Sequence, residues 1–480
     1  MRDRLLLLAG ALVAFGASLG SGFHFDDYAI FSDPDLTSPG GWLRLWGLRQ
    51  TRPLTGFTYW LNYQAGGTSP LGYHAVNLAL HLAAVLLAFE CLRRLLPARA
   101  AWLAAAIFAV HPIQAESVDY VWGRAIVLAT ALCFASLLSW MAGRPWLSVA
   151  CFAAALAAKE ECAAFPLLLA LLCWFPGQAR RRWPKWPLAA MLLLSLAAGL
   201  RVIYAAAATP GAQAGIRAGI SPARYALAQG AVILRYLRLL AVPWVFTIDP
   251  GLHIPPLWLG ALAWAAILAL AVFAWRRGAL WGLWLVAGLA LLLPSSSVFP
   301  VADLAADRRM YLPLVAFAAA AALPLSRIRA AAVPFLIVGI LLAGSLLRAR
   351  VWMDDAALWR EALEHAPEDT RPRIQLARSV PAPEALRLLD EARRMAPRDP
   401  AIAAEMGRTL MAAGNPAAAL GEFGRALALD PRDADNYNNR GVALAALGQT
   451  DAARRDFQRA LSISPGLTSA AENLRKMEGR

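Results

Sequence analysis

The sequence predicts an all-α chain: a polytopic membrane helical bundle of about eleven spans, followed by a C-terminal α-solenoid of short helical repeats. Three observations carry that prediction. Of 480 residues, 59% are hydrophobic and only 16% charged, more apolar surface than a water-soluble core of this size consumes, so a bilayer must act as solvent for part of it. Apolar stretches recur at short intervals up to about residue 350 and then stop. From about residue 352 the composition turns to Ala, Arg, Asp and Glu with a helical period, and Pro397, Pro431 and Pro465 fall 34 residues apart. The domain boundary is therefore drawn between residues 1–350 and 351–480.

The formal charge of +14 would suit a nucleic-acid partner, but its distribution does not. Residues 1–350 carry 28 Lys/Arg against 13 Asp/Glu, while 351–480 carry 18 against 19. The basic excess thus sits in the apolar part, where cytoplasmic flanks of membrane helices collect Arg and Lys, and no nucleic-acid partner is expected. All five cysteines (Cys91, Cys133, Cys151, Cys162, Cys173) lie in or beside apolar runs, which argues against disulfides and against a Cys-based metal site. The N-terminal MRDRLLLLAGALVAFGASLGSGF has the basic start, apolar stretch and small residues of a signal peptide. Cleavage would release the segment that positions an acidic pair, Asp26-Asp27, so a retained first span is expected.

In chain order, the candidate spans lie near 4–20, 73–95, 99–112, 122–141, 145–158, 163–175, 187–206, 256–275, 279–293, 310–325 and 330–347. Several fall short of the roughly 20 residues that a free helix needs to cross a bilayer. With Met1 on the cytoplasmic side, the inside loops carry Arg93/Arg94/Arg99, Arg144, Arg180/Arg181/Arg182/Lys185, Arg276/Arg277 and Arg327/Arg329, so each is basic. The pattern holds only if 225–248, with Arg235 and Arg238, lies in-plane or re-entrant rather than crossing. An odd count places the tail opposite Met1 and puts eleven of the 13 acids of residues 1–350, all but Asp3 and Glu90, on the outer face. Acids at a membrane edge are costly and usually functional, so that face is expected to hold a reaction or binding chamber.

In the tail, the 34-residue spacing recurs in Gly414 and Gly448, in Phe423 and Phe457, and in Ala392, Ala426 and Ala460. Small residues at helix crossings, with Pro after the second helix, resemble the tetratricopeptide repeat. The clearest repeats are 401–434 and 435–468, and a degenerate unit precedes them, with Pro367 and Pro397 only 30 apart. Stacked helix pairs leave a concave face for a peptide or protein, the alternative being a stabilising appendage with no partner. Asn436, Tyr437, Asn438, Asn439 and Arg440 suit peptide-backbone contacts or, alternatively, a solvated helix surface.

Four outer loops hold the candidate site residues. In the first, FHFDDYAI presents Asp26 and Asp27, which could serve as a general base, a metal ligand or a helix N-cap; a second negative group raises the pKa of a base toward a useful value. Arg52 closes the same loop, placed to grip a phosphate or simply to snorkel. The second loop brings His111, Glu116, Asp119 and Arg124, too few ligands for a zinc site, and reads as a substrate-binding or a structural turn. In the third, Lys159 and Glu160 either pair with each other or, through the lysine, neutralise a phosphate. The last adds Asp307, Arg308, Arg309 and Tyr311, and adjacent arginines outside run against the positive-inside trend, which favours a phosphate site.

The order FDDY, RPLTGFTYWLNY, GYHAVNLALHL, AIFAVHPIQAESVDYVWGRA, AAKEE, PSSSVFP and DRRMYLP, followed by the repeats, resembles the transmembrane and tetratricopeptide-repeat O-mannosyltransferase family and its bacterial relatives, within the GT-C glycosyltransferases. The resemblance implies a GT-C-like bundle that moves a sugar from a polyprenyl-phosphate donor, with inversion, to an acceptor outside the cytoplasm. It implies that Asp26 and Asp27 hold the catalytic base and that Arg52 and the 307–309 cluster, with Arg308 and Arg309, contact the donor phosphate; apart from the resemblance, Lys159 is a phosphate-binding candidate by its place in the third loop, and Asp27 is slightly favoured as the base. It leaves His111, Glu116, Arg124, Glu160, Asp307 and Tyr311 as substrate-binding candidates. The chain departs from the family at Asp307-Arg308, where Glu-Arg is commoner, and at Ser295-Ser296-Ser297, where Ser-Asn is expected. No cofactor or metal is required, though the scheme leaves room for a divalent cation bridging the acidic pair to phosphate. The expected partners are the polyprenyl-phosphate sugar, the lipid bilayer and a protein or peptide acceptor held by the repeats. Ala/Arg/Gly-rich usage suggests a bacterial inner membrane, with the repeats on the periplasmic side. Two rivals are a non-enzymatic membrane-anchored repeat scaffold for envelope proteins, and a lipid-linked sugar transporter, which would show internal symmetry that this sequence lacks.

Overall fold

The computed structural model describes all residues except 49, 178–182, 209–219, 252–253, 297–298, 302, 331, 478 and 480. Arg180, Arg181, Arg182 and Ser297, named above, lie outside the described residues. Every regular element among the described residues is a helix. Two compact units form: Met1–Ile248 with Leu252–Asp354, and Asp249–Gly251 with Asp355–Arg480.

In the first unit each of the eleven apolar stretches folds as a helix. Among the described residues, six helices are long and apolar enough to cross a membrane: Arg2–Gly20, Pro70–Leu95, Val121–Met141, Trp186–Ala208, Leu257–Arg277 and Ala332–Val351. Ala98–Val110, Pro145–Ala158 and Leu280–Leu291 are apolar but shorter. The chain is thus built as a multi-pass membrane protein.

Ala98–Val110 sits at the centre, buried almost throughout, and packs on Pro70–Leu95, Tyr311–Leu325 and the first helix. Its alanines let neighbours approach closely, as small residues do where lipid supplies no hydrophobic drive between helices. By contrast, Trp186–Ala208 exposes Leu192, Leu193, Leu196, Leu200 and Ile203, the pattern of a helix bathed by acyl chains on one side. Pro222–Ala241 is a 20-residue helix that buries one face, with Tyr225, Gln229, Ile233 and Tyr236 inward. It crosses Leu257–Arg277 where Gly230 and Gly260 meet; a Cβ on Gly260 would stand 2.6 Å from the Leu227 carbonyl oxygen.

The loops sort to two ends of the bundle. At one end Arg4 bonds Glu90 at 2.6 Å, Arg99 donates to the Ile328 carbonyl and Trp140 to that of Pro184. At the other, the segments around residues 21–52, 111–123, 159–164 and 303–310 meet.

The second unit stacks helix pairs. Pro400–Ala412 pairs with Pro416–Leu429, and Ala434–Ala446 with Thr450–Ile463, preceded by Asp355–His365, Thr370–Ala377 and Ala382–Met395 and closed by Thr468–Met477. The 34-residue period has a direct steric cause: Phe423 and Phe457 lie flat on Gly407 and Gly441, where an added Cβ would meet each ring at 2.6 Å. Gly414 and Gly448 take positive φ, 75° and 76°, at the turn between paired helices, which favours glycine.

Candidate active site

The acidic pair sits on a short 3-10 turn, Phe25–Tyr28, and the structure separates the two carboxylates. Asp27 is fully buried. Its Oδ2 accepts the His24 amide at 3.0 Å and its Oδ1 the Trp122 amide at 2.8 Å, so it pins the first loop to the second. Burial pushes its carboxyl up to about 7, against the two amides and the His24 charge. Asp26 is exposed, and its amide donates to the Tyr120 hydroxyl at 3.2 Å. One residue of offset on the turn therefore gives one carboxylate to the scaffold and one to solvent.

Arg52, just ahead of the Pro53–Gly66 helix, makes a two-pronged bond to Glu160, Nε to Oε2 at 2.9 Å and Nη2 to Oε1 at 2.6 Å. Burial would raise the Glu160 carboxyl, but Arg52 overrides it and holds the group down at about 2. The Lys159–Glu160 pairing weighed above does not form: Lys159 faces Glu161 at 3.5 Å. The reason is local, since Lys159 is extended backbone and Glu160 begins a 3-10 turn, which turns successive side chains apart. Burial lowers the Lys159 pKa, with Arg52 adding to the effect.

Arg308 donates its backbone N–H to Glu116 Oε2 at 3.0 Å and bonds Oε1 through its guanidinium; Asp303 lies 3.7 Å away. Arg52, Lys159 and Arg308 lie close enough for Arg308 to be felt at both other cations. Tyr120, whose hydroxyl accepts the Asp26 amide, sits on the same loop as Glu116, the partner of Arg308, so the acidic turn and the cations share one loop cluster. Asp307 is held by Arg235 at 2.7 Å, and Arg309 spends its Nη atoms on the carbonyls of Leu304 and Asp303. Among the described residues no group of three or more His, Cys, Asp or Glu is disposed to hold a metal ion.

Three candidates fall away from this cluster. Arg124 is fully buried and bonds Asn77 at 2.8 Å, Asn62 at 2.6 Å and the Tyr73 carbonyl at 2.9 Å, with its guanidinium 4.6 Å from the centre of the Tyr59 ring. Tyr311 is enclosed too, its hydroxyl 2.7 Å from His81 Nδ1. Both stand at helix starts whose neighbours close over them, so they hold the bundle together rather than face the chamber. His111 also turns inward, its Nδ1 accepting the Ile113 amide at 3.1 Å. It lines an apolar cavity of about 490 Å³ with Leu240, Leu285, Leu314, Phe317 and Leu341.

The sequence reading gave no role to Tyr120, which joins the acidic pair to the cations. Asp119 beside it is buried with both oxygens unbonded, and burial raises its pKa well above the usual range, opposed by Arg348. An acid among apolar neighbours in VDYVW was the available signal.

Residues 404–468 match the family model described as tetratricopeptide repeat. Part of the chain is 40% identical over 186 residues to protein O-mannosyl-transferase Tmtc1 of Drosophila melanogaster, covering 34% of this chain and 21% of that protein. Protein O-mannosyl-transferase F38B6.6 of Caenorhabditis elegans is 33% identical over 156 residues, covering 29% and 23%. Protein O-mannosyl-transferase TMTC1 of Homo sapiens is 38% identical over 154 residues, covering 28% and 17%. These matches span only about a fifth of the relatives' length. Among solved structures, ArnT from Cupriavidus metallidurans bound to undecaprenyl phosphate aligns with a TM-score of 0.43 and 15% identity, over 90% of this chain and 80% of that one. The chain thus carries tetratricopeptide repeats behind a membrane helical bundle, and shares a stretch of sequence with protein O-mannosyl-transferases.

Proposed function

We propose that this chain is an inverting glycosyltransferase that moves a sugar from a polyprenyl-phosphate donor to a protein hydroxyl at the extracytoplasmic face of a bacterial inner membrane. The observation that carries the reading is an exposed acid, Asp26, on a turn tied to the Tyr120 loop, in the same loop cluster as the paired cations Arg52, Lys159 and Arg308. The O-mannosyl-transferase name of the similar sequences supports it.

In this reading Asp26 is the base and Asp27 is the residue that holds the loop. The acceptor O–H bond breaks as its oxygen bonds the anomeric carbon, and the proton passes to the Asp26 carboxylate. The anomeric C–O bond breaks with its electron pair leaving on the phosphate, where Arg52, Lys159 and Arg308 balance the growing charge. The cations meet this task already paired with Glu160, Glu161 and Glu116, so the donor phosphate must share or replace those carboxylates. The apolar cavity beside Leu314 and Phe317, on the helix that follows Arg308-Arg309, suits the lipid's isoprenoid chain.

The repeats would present the acceptor. Deleting residues 357–480 is expected to lower the rate and blur the choice of protein targets; an unaltered rate and choice would remove that role. The enzyme reading is tested by supplying purified protein with labelled polyprenyl-phosphate sugars and envelope extract. Transfer of label to protein is the expected result, and no transfer from any donor would sink the reading. The rival scaffold draws on the pairing of Arg52, Lys159 and Arg308 with carboxylates and of Arg309 with two carbonyls, and predicts that Asp26→Asn keeps full function.

A further inference from the structure

The loop between the acidic turn and Arg52 carries a feature that catalysis does not use. Gly41–Trp46 forms a 3-10 turn whose inward apolar side chains are Leu45, 3% exposed and packed with Ile30, Leu36 and Tyr59, and the half-buried Trp42 against the same cluster. Leu43, Trp46 and Leu48 around it are 63%, 51% and 72% exposed. In a 3-10 turn residues three apart eclipse one another, so Leu43 and Trp46 share one edge. The charge between them is partly offset, because Arg44 is held by Asp35 at 2.5 Å and by the Ser38 hydroxyl at 3.1 Å. Three large apolar side chains on one short turn are not the scattered singles of an ordinary wet surface.

What covers them is indicated by Arg201. That residue lies within Trp186–Ala208, a candidate span with only 17% of its apolar window buried. Its Nη2 donates to the Gly47 carbonyl at 2.8 Å and to that of Gln50. Seven residues separate Arg201 from the helix end at Ala208, roughly 10 Å at 1.5 Å per residue. Carbonyls that bond an arginine near the end of an apolar helix offset the cost of holding that charge beside lipid, and Trp46 and Leu48 flank one of those carbonyls. Leu200, Ile203 and Tyr204 on the same helix are exposed, so the apolar surface of the turn continues an apolar surface that already faces acyl chains. Trp at the headgroup level with Leu beneath is the composition of an interfacial anchor.

We propose that Leu43, Trp46 and Leu48 insert into the bilayer leaflet on the side of the acidic pair, so that phospholipid is the partner of this loop and holds it beside the mouth of the site. The inference rests on exposure and on Arg201, independently of the proposed reaction.

The test uses the full chain in phospholipid nanodiscs, with a nitroxide on Leu43→Cys, Trp46→Cys or Leu48→Cys and on Gly40→Cys as the wet reference. Unsubstituted protein serves as blank for the five native cysteines. Collision with oxygen exceeding collision with a water-soluble nickel chelate at 43, 46 and 48, reversed at 40, is the expected result. Nickel access at 43, 46 and 48 equal to that at 40 overturns the proposal. Immobilised labels shielded from both reagents also overturn it, since they indicate a protein partner or a second copy. A measurement without cysteine substitution reads the emission lost in Trp46→Phe: that fraction should be quenched by brominated phospholipid and spared by aqueous iodide, and the opposite pattern refutes the insertion.

Discussion

Replacing Asp27 by alanine separates its structural task from the chemistry assigned to Asp26. The Asp27 carboxylate bonds the amides of His24 at 3.0 Å and Trp122 at 2.8 Å, and truncation leaves both without that acceptor. Each stranded buried amide costs about 1–3 kcal/mol, so Asp27→Ala is expected to cost about 2–6 kcal/mol, less whatever is regained by removing a desolvated acid. Asp27→Asn keeps one acceptor oxygen and should cost about half as much. The wild-type group also leaves a pH signature. Its folded pKa of about 7 exceeds the ordinary 3.8, so between those values the folded chain holds the proton more tightly than the unfolded one. The contribution to stability therefore falls as pH rises from about 4 and levels off above about 7, by at most about 4.5 kcal/mol at roughly 1.4 kcal/mol per unit. Unfolding midpoints in nanodiscs at pH 5 and pH 8 read both effects: Asp27→Ala should melt well below wild type, and Asp27→Asn should lose the pH-dependent difference. An alanine variant as stable as wild type, or an asparagine variant with the same pH slope, would refute the reasoning.

Arg124→Lys keeps the charge but can reproduce only part of a fork that bonds Asn77, Asn62 and the Tyr73 carbonyl; a loss of about 3 kcal/mol or more is expected in unfolding assays. Arg52→Ala strips Glu160 of its cation and should lower kcat/KM for the donor by at least about tenfold, with Arg52→Lys intermediate because the two-pronged contact is lost. In the repeats, Gly407→Ala drives a Cβ to 2.6 Å from Phe423 and should cost about 1–3 kcal/mol by thermal melting. Gly421→Ala, with nothing within 4 Å, should instead stabilise by up to about 1 kcal/mol.

The helices and the repeats were legible because their causes are periodic. Long apolar runs have one stable form in lipid, and a 34-residue recurrence of Gly and Phe reflects ring-on-glycine contacts that repeat with it. The convergence of four loops was expected from the alternation of apolar stretches and polar loops along the chain. Pairing within the cluster did not follow, because Arg52 meets Glu160 across 108 positions and nothing local marks that choice over Lys159. The inward turn of Arg124 and Tyr311 was equally hidden: a charged or hydroxyl side chain at a helix start reads the same whether neighbours enclose it or solvent does. The Pro53–Gly66 helix was passed over too, since RPLTGFTYWLNYQAG reads as an aromatic loop until its packing on Leu36, Leu45 and Ala158 is seen. The division between Asp26 and Asp27 depends on a single step of a 3-10 turn, below what spacing alone resolves.

The account stands most directly on the rate of sugar transfer by Asp26→Asn, measured with labelled polyprenyl-phosphate sugar in nanodiscs and compared with wild type at equal folded fraction. Loss of a general base predicts a fall of about 100-fold or more with the unfolding midpoint unchanged. Full transfer by Asp26→Asn, alongside loss in a folded Asp27→Asn, would contradict the assignment of the exposed carboxylate as the base.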